Sequence, residues 1–441
     1  MSVNISGFFK KNPYYGIYLF LIICIYLLSF EEPITGAGFS LITLFRNTIP
    51  IAAVIYFLIS SIHMPANFRK LLTPYFICGL IFAVSGIVGW LTNYYQNFFV
   101  TIQALYEHIR FWLCLYLFTE LFRILPFKHY ARRFFFHISI LSATIILPSI
   151  ADYIFEIWPR QIYRFGIGSI QIFYGHPSNL SAHAIFLIAL LCILYPYIER
   201  DKFHRVRLSV VNIVLMVLLL VISAATLRLR IIGLIIFFIA LYLFMIIFKK
   251  RLSLPVILIG TAGAAAIGGR RLYDFYFSPY AYTMARGQFA INSLDIASRY
   301  FPFGSGFGTF GSRMAQLHYS PLYYKYKMMA TIGLSPEHPA YACDTFFPCI
   351  LAESGWMGFI AYLAMIFLLI FSVLRKQKAA CLSQPGRYAC FTAVILIAFE
   401  LLETTGSLAF SETYSVLIAF ALGLCLVTIQ SAGDNIESDP V

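Results

Sequence analysis

From Tyr14 almost to its C-terminus, the chain repeats one pattern: a run of about twenty apolar residues, a short polar interruption, then another run. A hydrocarbon core about 30 Å thick is crossed by roughly 20 residues of helix, and lipid offers the backbone no hydrogen-bond partners. Such runs must therefore fold as helices that satisfy their own N–H and C=O groups. Twelve spans are expected, at 14–30, 42–62, 73–91, 100–122, 135–155, 179–198, 208–226, 231–248, 253–269, 355–374, 387–402 and 411–429. The expected fold is an all-α polytopic membrane protein. Composition agrees, because 60% hydrophobic residues, 12% charged residues and a mean hydropathy of +0.80 lie outside the soluble range. The first run follows Lys10 and Lys11 but is long and lacks a small-residue cleavage site, so it reads as a retained span.

Cations test this layout. With Lys10 and Lys11 in the cytoplasm, nineteen Lys and Arg fall on the inside, almost equally divided between the two residues. The short outside connections at 31–40, 92–99 and 403–410 contain none, which is the usual bias of membrane proteins. Both termini are then cytoplasmic, with 430–441 an acidic cytoplasmic tail. Because the net charge of +13 follows this topology and forms no single basic face, nucleic acid is not an expected partner. Seven of nine cysteines lie in or beside spans, and neither a disulfide framework nor a metal site is indicated.

Eleven cations remain outside, and nine of them are arginine: Arg160, Arg164, Arg228, Arg230, Arg270, Arg271, Arg286, Arg299 and Arg313. A charge that only sets topology can be Lys or Arg, whereas a planar guanidinium favours bidentate contact with phosphate or carboxylate. Most of these arginines lie in two outside loops, 156–178 and the long polar interval 270–343. Arg228 and Arg230 occupy a tight turn, with Arg230 entering the next helix, where backbone N–H groups also favour anions. Arg286 and Arg299 bracket a segment whose Phe289, Ile291, Leu294 and Ile296 read as the apolar face of an amphipathic helix lying on the membrane. The glycine-rich turn Phe303–Gly308 follows, and its glycines would let backbone approach a ligand.

Beyond it, His338 has the chemistry of a general base near neutral pH, and Asp344 and Glu353 are acids near membrane depth, where an ionisable group is paired or functional. From Asp344 the mixed polarity suits a short helix ahead of the tenth span. Glu107 and Arg110 are spaced for an ion pair on one helix. Glu400, Glu403 and Glu412 flank the last outside turn, opposite the loop arginines, while Asn179 and His183 share a face that would line a polar cavity.

Together these residues resemble the bacterial O-antigen polymerase and O-antigen ligase superfamily. The resemblance rests on the twelve-span layout, the Gly175-His176-Pro177-Ser178-Asn179-Leu180 opening of the sixth span, the arginines before the eighth, and the large loop after the ninth. Its most specific parts are Arg286, Arg299, Pro302 and the Gly304-Ser305-Gly306-Phe307-Gly308 turn, followed by Asp344 to Gly358. It implies a fold like the type C glycosyltransferases, with 156–178 and 270–343 as periplasmic loops in the bacterial inner membrane. The implied chemistry is metal-independent and cofactor-free glycosyl transfer from an undecaprenyl-pyrophosphate-linked glycan. Membrane lipids and a chain-length regulator protein are the implied partners.

Ligases carry a His-x-His-Asn type pattern before the apolar segment, where this chain has Asp344-Thr345 with His338 six residues earlier. Arg164 to Gly175 also matches a spacing linked to function in polymerases, so the polymerase branch is favoured over the ligase. On this reading His338, Asp344, Arg286 and Arg299 are catalytic, either His338 or Asp344 being the base. Arg164, Arg228, Arg230, Arg270, Arg271, Arg313 and Glu353 bind substrate. A transporter of lipid-linked sugar is the rival class, which would show internal repeats or broken helices at the midplane.

Overall fold

The computed structural model describes residues 13–36, 41–60, 66–164, 166–199, 205–251, 253–267 and 269–437. The bundle consists of α1 (Tyr15–Ser29), the short α2 (Glu31–Gly36), α3 (Leu41–Ser60), α4 (Ala66–Asn93), α5 (Phe98–Ile124) and α6 (Phe127–Phe155). A two-residue hairpin, β1 (Tyr163–Arg164) against β2 (Ile167–Gly168), leads to α7 (Pro177–Glu199), α8 (Arg205–Ala225), α9 (Leu229–Tyr242) and α10 (Leu254–Ala266). After a folded polar segment come α11 (Phe346–Ala380), α12 (Gln384–Glu403) and α13 (Ser415–Glu437). Among the described residues, nine helices are long and apolar enough to cross a membrane, and α1 and α10 are shorter apolar helices. The chain is an all-α, multi-pass membrane protein.

Helices that are apolar all round belong at the centre of such a bundle. Accordingly α7, α12 and α13 are buried along most of their length and pack on one another, whereas α3, α4 and α8 leave apolar side chains such as Leu58, Leu80 and Val221 uncovered for lipid.

The long polar interval is also folded. It contains the helix Gly269–Tyr276, the helix Ala285–Arg299, and two single turns at Arg313–Leu317 and Pro321–Lys325. They enclose a second apolar core of Phe289, Ile296, Phe310, Leu322, Tyr323 and Met328. The face of Ala285–Arg299 therefore differs from the expected one. Phe289, Ser293, Ile296 and Ala297 point inward at helical spacing, while Ile291 and Leu294 stay about half exposed, because the helix packs on α11 instead of lying free.

Helix α11 is broken at Gly355, whose φ of 64° and ψ of −173° leave the helical region. The short helical segment 346–354 thus precedes the tenth span, as the mixed sequence there suggested. Breaking a helix at membrane depth frees carbonyls that need donors. Here Ser305 N–H donates to Ala352 O at 2.9 Å and Gly306 N–H to Glu353 O at 3.0 Å. A Cβ on Gly304 would sit 2.3 Å from Gly355 N, and one on Gly306 would sit 2.6 Å from Trp90 Cα. The glycines of this turn are needed for close approach to the chain's own backbone, which corrects the expectation that they cradle a ligand.

Candidate functional site

Three arginines from two distant stretches, Arg228 and Arg230 in one turn and Arg286 in the polar segment, come together at one end of the bundle. Leu227, with φ of 55°, turns the chain sharply, so Arg228 becomes the residue before α9 and Arg230 falls in the helix's first turn. Arg164 braces that turn by donating from Nη1 to Leu227 O at 2.9 Å. Arg228 Nη2 lies 2.5 Å from His176 Nε2. Burial, then Arg228 and Arg230, push His176 down to about 4, so at neutral pH its imidazole is uncharged and can accept this bond. Burial and the neighbouring Arg230 lower Arg228 to about 10, which leaves it cationic at neutral pH. Arg230 Nε stands 2.9 Å from Glu403 Oε1, and its Nη2 is 3.5 Å from Ser178 Oγ.

Arg286 enters from the first turn of Ala285–Arg299. Its Nη2 is 3.0 Å from Asp344 Oδ2, and its guanidinium lies 4.7 Å from the centre of the Phe275 ring. The last turn of the bundle completes the arrangement. A Cβ built on Gly406 would lie 2.7 Å from Arg230 Nη1 and 3.0 Å from Arg286 Nη2, so both guanidiniums close over this glycine. Tyr276 stands beside them and donates its hydroxyl to Thr405 O at 3.2 Å.

Two of the three arginines have a carboxylate each, and the third has a neutral imidazole. The formal sum is therefore one positive charge, held where Arg228 Nε and Thr345 Oγ1 are buried without a hydrogen-bond partner. A guanidinium has five N–H donors, so single contacts to Asp344 and Glu403 fix the orientation of Arg286 and Arg230 and leave other donors for a ligand. Arg286 and Asp344 are 22% and 27% exposed, so a ligand has access to that pair. Such a cluster, with one net positive charge and spare N–H donors, is suited to an anionic group.

The other expected site residues are placed elsewhere. Arg299 is at the far end of its helix, about 20 Å from Arg286 at 1.5 Å per residue. It is about half exposed and lies 3.6 Å from Asp295. Replacing Arg299 by alanine is expected to leave any anion-dependent activity within about twofold of the parent, because an exposed pair of this kind contributes little; assay of the purified variant checks this. His338 is exposed, and its backbone N–H bonds within its own turn, to Ser335. Among the described residues no contact joins it to the arginines.

Glu353 is completely buried and accepts from Phe310 N–H at 3.0 Å and Ser312 Oγ at 2.6 Å, while His108 Nε2 lies 3.1 Å away. Its partners are internal, so it locks the polar segment onto α5 and is not placed to bind a ligand. Arg313 is exposed, and its positive charge acts on Glu31, Glu32, Glu107 and Glu412. Arg270 and Arg271 belong to Gly269–Tyr276, and their side chains lie outside the described residues.

Several contributors were not anticipated. His176 and Ser178 belong to the Gly-His-Pro-Ser-Asn opening of α7, yet nothing in that motif names Arg228 or Arg230 as partners. Phe275, Tyr276 and Gly406 gave no signal. Glu31 pairs with buried Arg46, and Glu32 accepts from Asn179 Nδ2. Their one sequence cue is a pair of acids in a connection that contains no cation. His183 stacks on Tyr174 at 4.3 Å and bonds Asn179 O, so it is packed and lines no cavity. His108 Nε2, Cys349 Sγ and Glu353 Oε2 all lie within 4.8 Å of one another, spacing that a metal ion could bridge. There Ser411 Oγ already holds His108 Nδ1 at 2.9 Å and Glu353 is bonded on both oxygens, so protein groups close this network.

Neither the protein-family models nor the curated proteins contain a match to this chain.

Proposed function

We propose that the chain is a polysaccharide polymerase of the O-antigen type. It would transfer an undecaprenyl-pyrophosphate-linked glycan onto another lipid-linked repeat unit at the periplasmic face of the bacterial inner membrane. The architecture would be type C glycosyltransferase-like, with twelve crossings and both termini in the cytoplasm. The observation that carries this reading is the meeting of Arg230 and Arg286 over Gly406, with Arg228 as their electrostatic neighbour. A purely structural role would need one carboxylate per arginine and no orphaned donors. Here the cations are in excess, and Arg228 Nε and Thr345 Oγ1 have no partner.

The chemistry follows from charge. As the bond between the anomeric carbon and the diphosphate oxygen breaks, its electron pair moves onto the diphosphate, whose negative charge grows. Guanidiniums already fixed by Asp344, Glu403 and Phe275 bind that charge more strongly in the transition state than in the ground state. Direct attack by an acceptor hydroxyl would invert the anomeric centre.

The deciding experiment is the glycan profile of cells that lack this chain. Single repeat units capped on the lipid anchor are expected. Full-length polymer retained on the polyprenyl carrier would point to a ligase, and lipid-linked units trapped on the cytoplasmic side to a transporter; either result overturns the polymerase reading.

A further inference from the structure

The turn that seats the arginines continues into a second polar zone, which the diphosphate site does not use. Glu403 contacts Arg230, Gly406 lies under Arg230 and Arg286, and nine residues after Glu403 the same turn presents Glu412. The position of Glu412 is fixed through its neighbour. Arg110 Nη2 donates to Ser411 O at 2.6 Å, and His108 Nδ1 is 2.9 Å from Ser411 Oγ, both from α5. The Glu412 carboxylate has no ion-pair partner within salt-bridge distance among the described residues, and its hydrogen bond is a long one, 3.4 Å from Leu408 N–H. It is partly exposed.

Glu32 on α2, Glu107 on α5, and Arg313 and Cys343 in the polar segment are electrostatic neighbours of Glu412. Arg110, Glu403, Glu400 and Tyr414 complete its charged and titratable surroundings. An independent observation marks this zone as unfinished. Glu400 is wholly buried, both its oxygens lack a hydrogen-bond partner, and its electrostatic neighbours are Glu403 and Glu412. Glu32 Oε2 is likewise buried without a partner. Buried polar atoms are almost always bonded, so a set of orphans beside the partly exposed residue Glu412 points to a hydroxyl-bearing ligand.

We propose that Glu412 takes the proton of the acceptor sugar hydroxyl, and that Glu32, Glu107 and Arg313 form the acceptor side of the site. This rests on the reading of the chain as a glycosyltransferase. In the step, the acceptor oxygen bonds to the anomeric carbon, the bond from that carbon to the diphosphate breaks with its electrons going to the diphosphate, and the hydroxyl proton passes to Glu412 and then to solvent. Carboxylates accept hydrogen bonds from the hydroxyls of a sugar, and Arg313, exposed beside them, donates to its oxygens. Burial pushes the Glu412 carboxyl upward, against the pull of Arg313 and Arg110, which makes it a stronger proton acceptor than a free carboxylate.

The test uses the purified full chain in lipid nanodiscs. Its substrate is the lipid-linked glycan extracted from cells lacking this chain, and its binding probe is farnesyl diphosphate. E412Q is expected to bind farnesyl diphosphate within about twofold of the parent while extending the glycan at least about 100-fold more slowly. E412D, which keeps a shorter base, should extend at least about tenfold faster than E412Q. Extension by E412Q at the parental rate overturns the proposal, and so does a parallel loss of farnesyl diphosphate binding in both variants, which would mark Glu412 as structural. If the parent itself neither binds farnesyl diphosphate nor extends the glycan, the glycosyltransferase reading falls and takes this proposal with it.

Discussion

Replacing Arg286 by lysine is expected to lower glycan transfer by about 10²–10³-fold, with the amount of folded protein unchanged. The size follows from what lysine keeps and what it loses. Charge is retained, so topology and the attraction of a polyanion persist. Lost are the planar fork, the packing on Phe275 at 4.7 Å and the contact with Asp344 at 3.0 Å, which together hold the guanidinium over Gly406. An ammonium on a flexible stem presents a point charge that must be ordered during the reaction, at a cost of about 2.7–4 kcal/mol when one positioned donor of a charge-stabilising site is removed. Arg230, fixed by Glu403 at 2.9 Å, should respond in the same way. The measurement is initial rate per folded protein, with farnesyl diphosphate affinity in parallel. Full activity in both lysine variants would show that bidentate contact is not used, and the diphosphate site would have to be abandoned.

The basis for that prediction was visible in the sequence only in part. The excess of arginine over lysine outside the membrane singled out Arg228, Arg230 and Arg286, because side-chain geometry gives a reason for that choice that topology does not. The same reasoning also selected Arg299, and it could not separate the two ends of one helix. Whether a residue in the first turn or the last turn faces the site depends on how Ala285–Arg299 packs on α11, and that is set by Phe289 and Ile296 entering a core whose residues run on to Ala352, about sixty positions away. Helix bounds show the same limit. Lys128, His129, Arg132 and Arg133, ahead of position 135, hid the start of α6 at Phe127, since hydropathy reports lipid contact and helices extend beyond it. The glycines at 304 and 306 announced a turn, but only the break at Gly355 reveals that the turn supplies donors to a helix that has lost its own.

Glu353 illustrates the opposite error and supports a prediction of different kind. An acid near membrane depth is either functional or paired, and sequence cannot decide which when the partner, His108, is 245 residues away. In the structure every neighbour of this carboxylate is internal: Phe310 N–H, Ser312 Oγ and His108 Nε2, all buried. Glu353→Ala would leave those groups without a partner in a dry environment, a loss of about 3–5 kcal/mol typical of breaking a buried pair from one side. The consequence would spread, because Glu353 joins α11 to α5 and to the glycine turn, and Ser411, held by the same His108, positions the turn that carries Glu412. A large fall in apparent Tm in detergent and in the yield of folded protein is expected. Glu353→Gln, which keeps one carbonyl acceptor for Phe310 and Ser312, should fall less. The decisive comparison is rate per folded molecule in the glutamine variant. A value near the parent's assigns Glu353 to the framework, whereas a stable glutamine variant with a collapsed rate would return this residue to the substrate site.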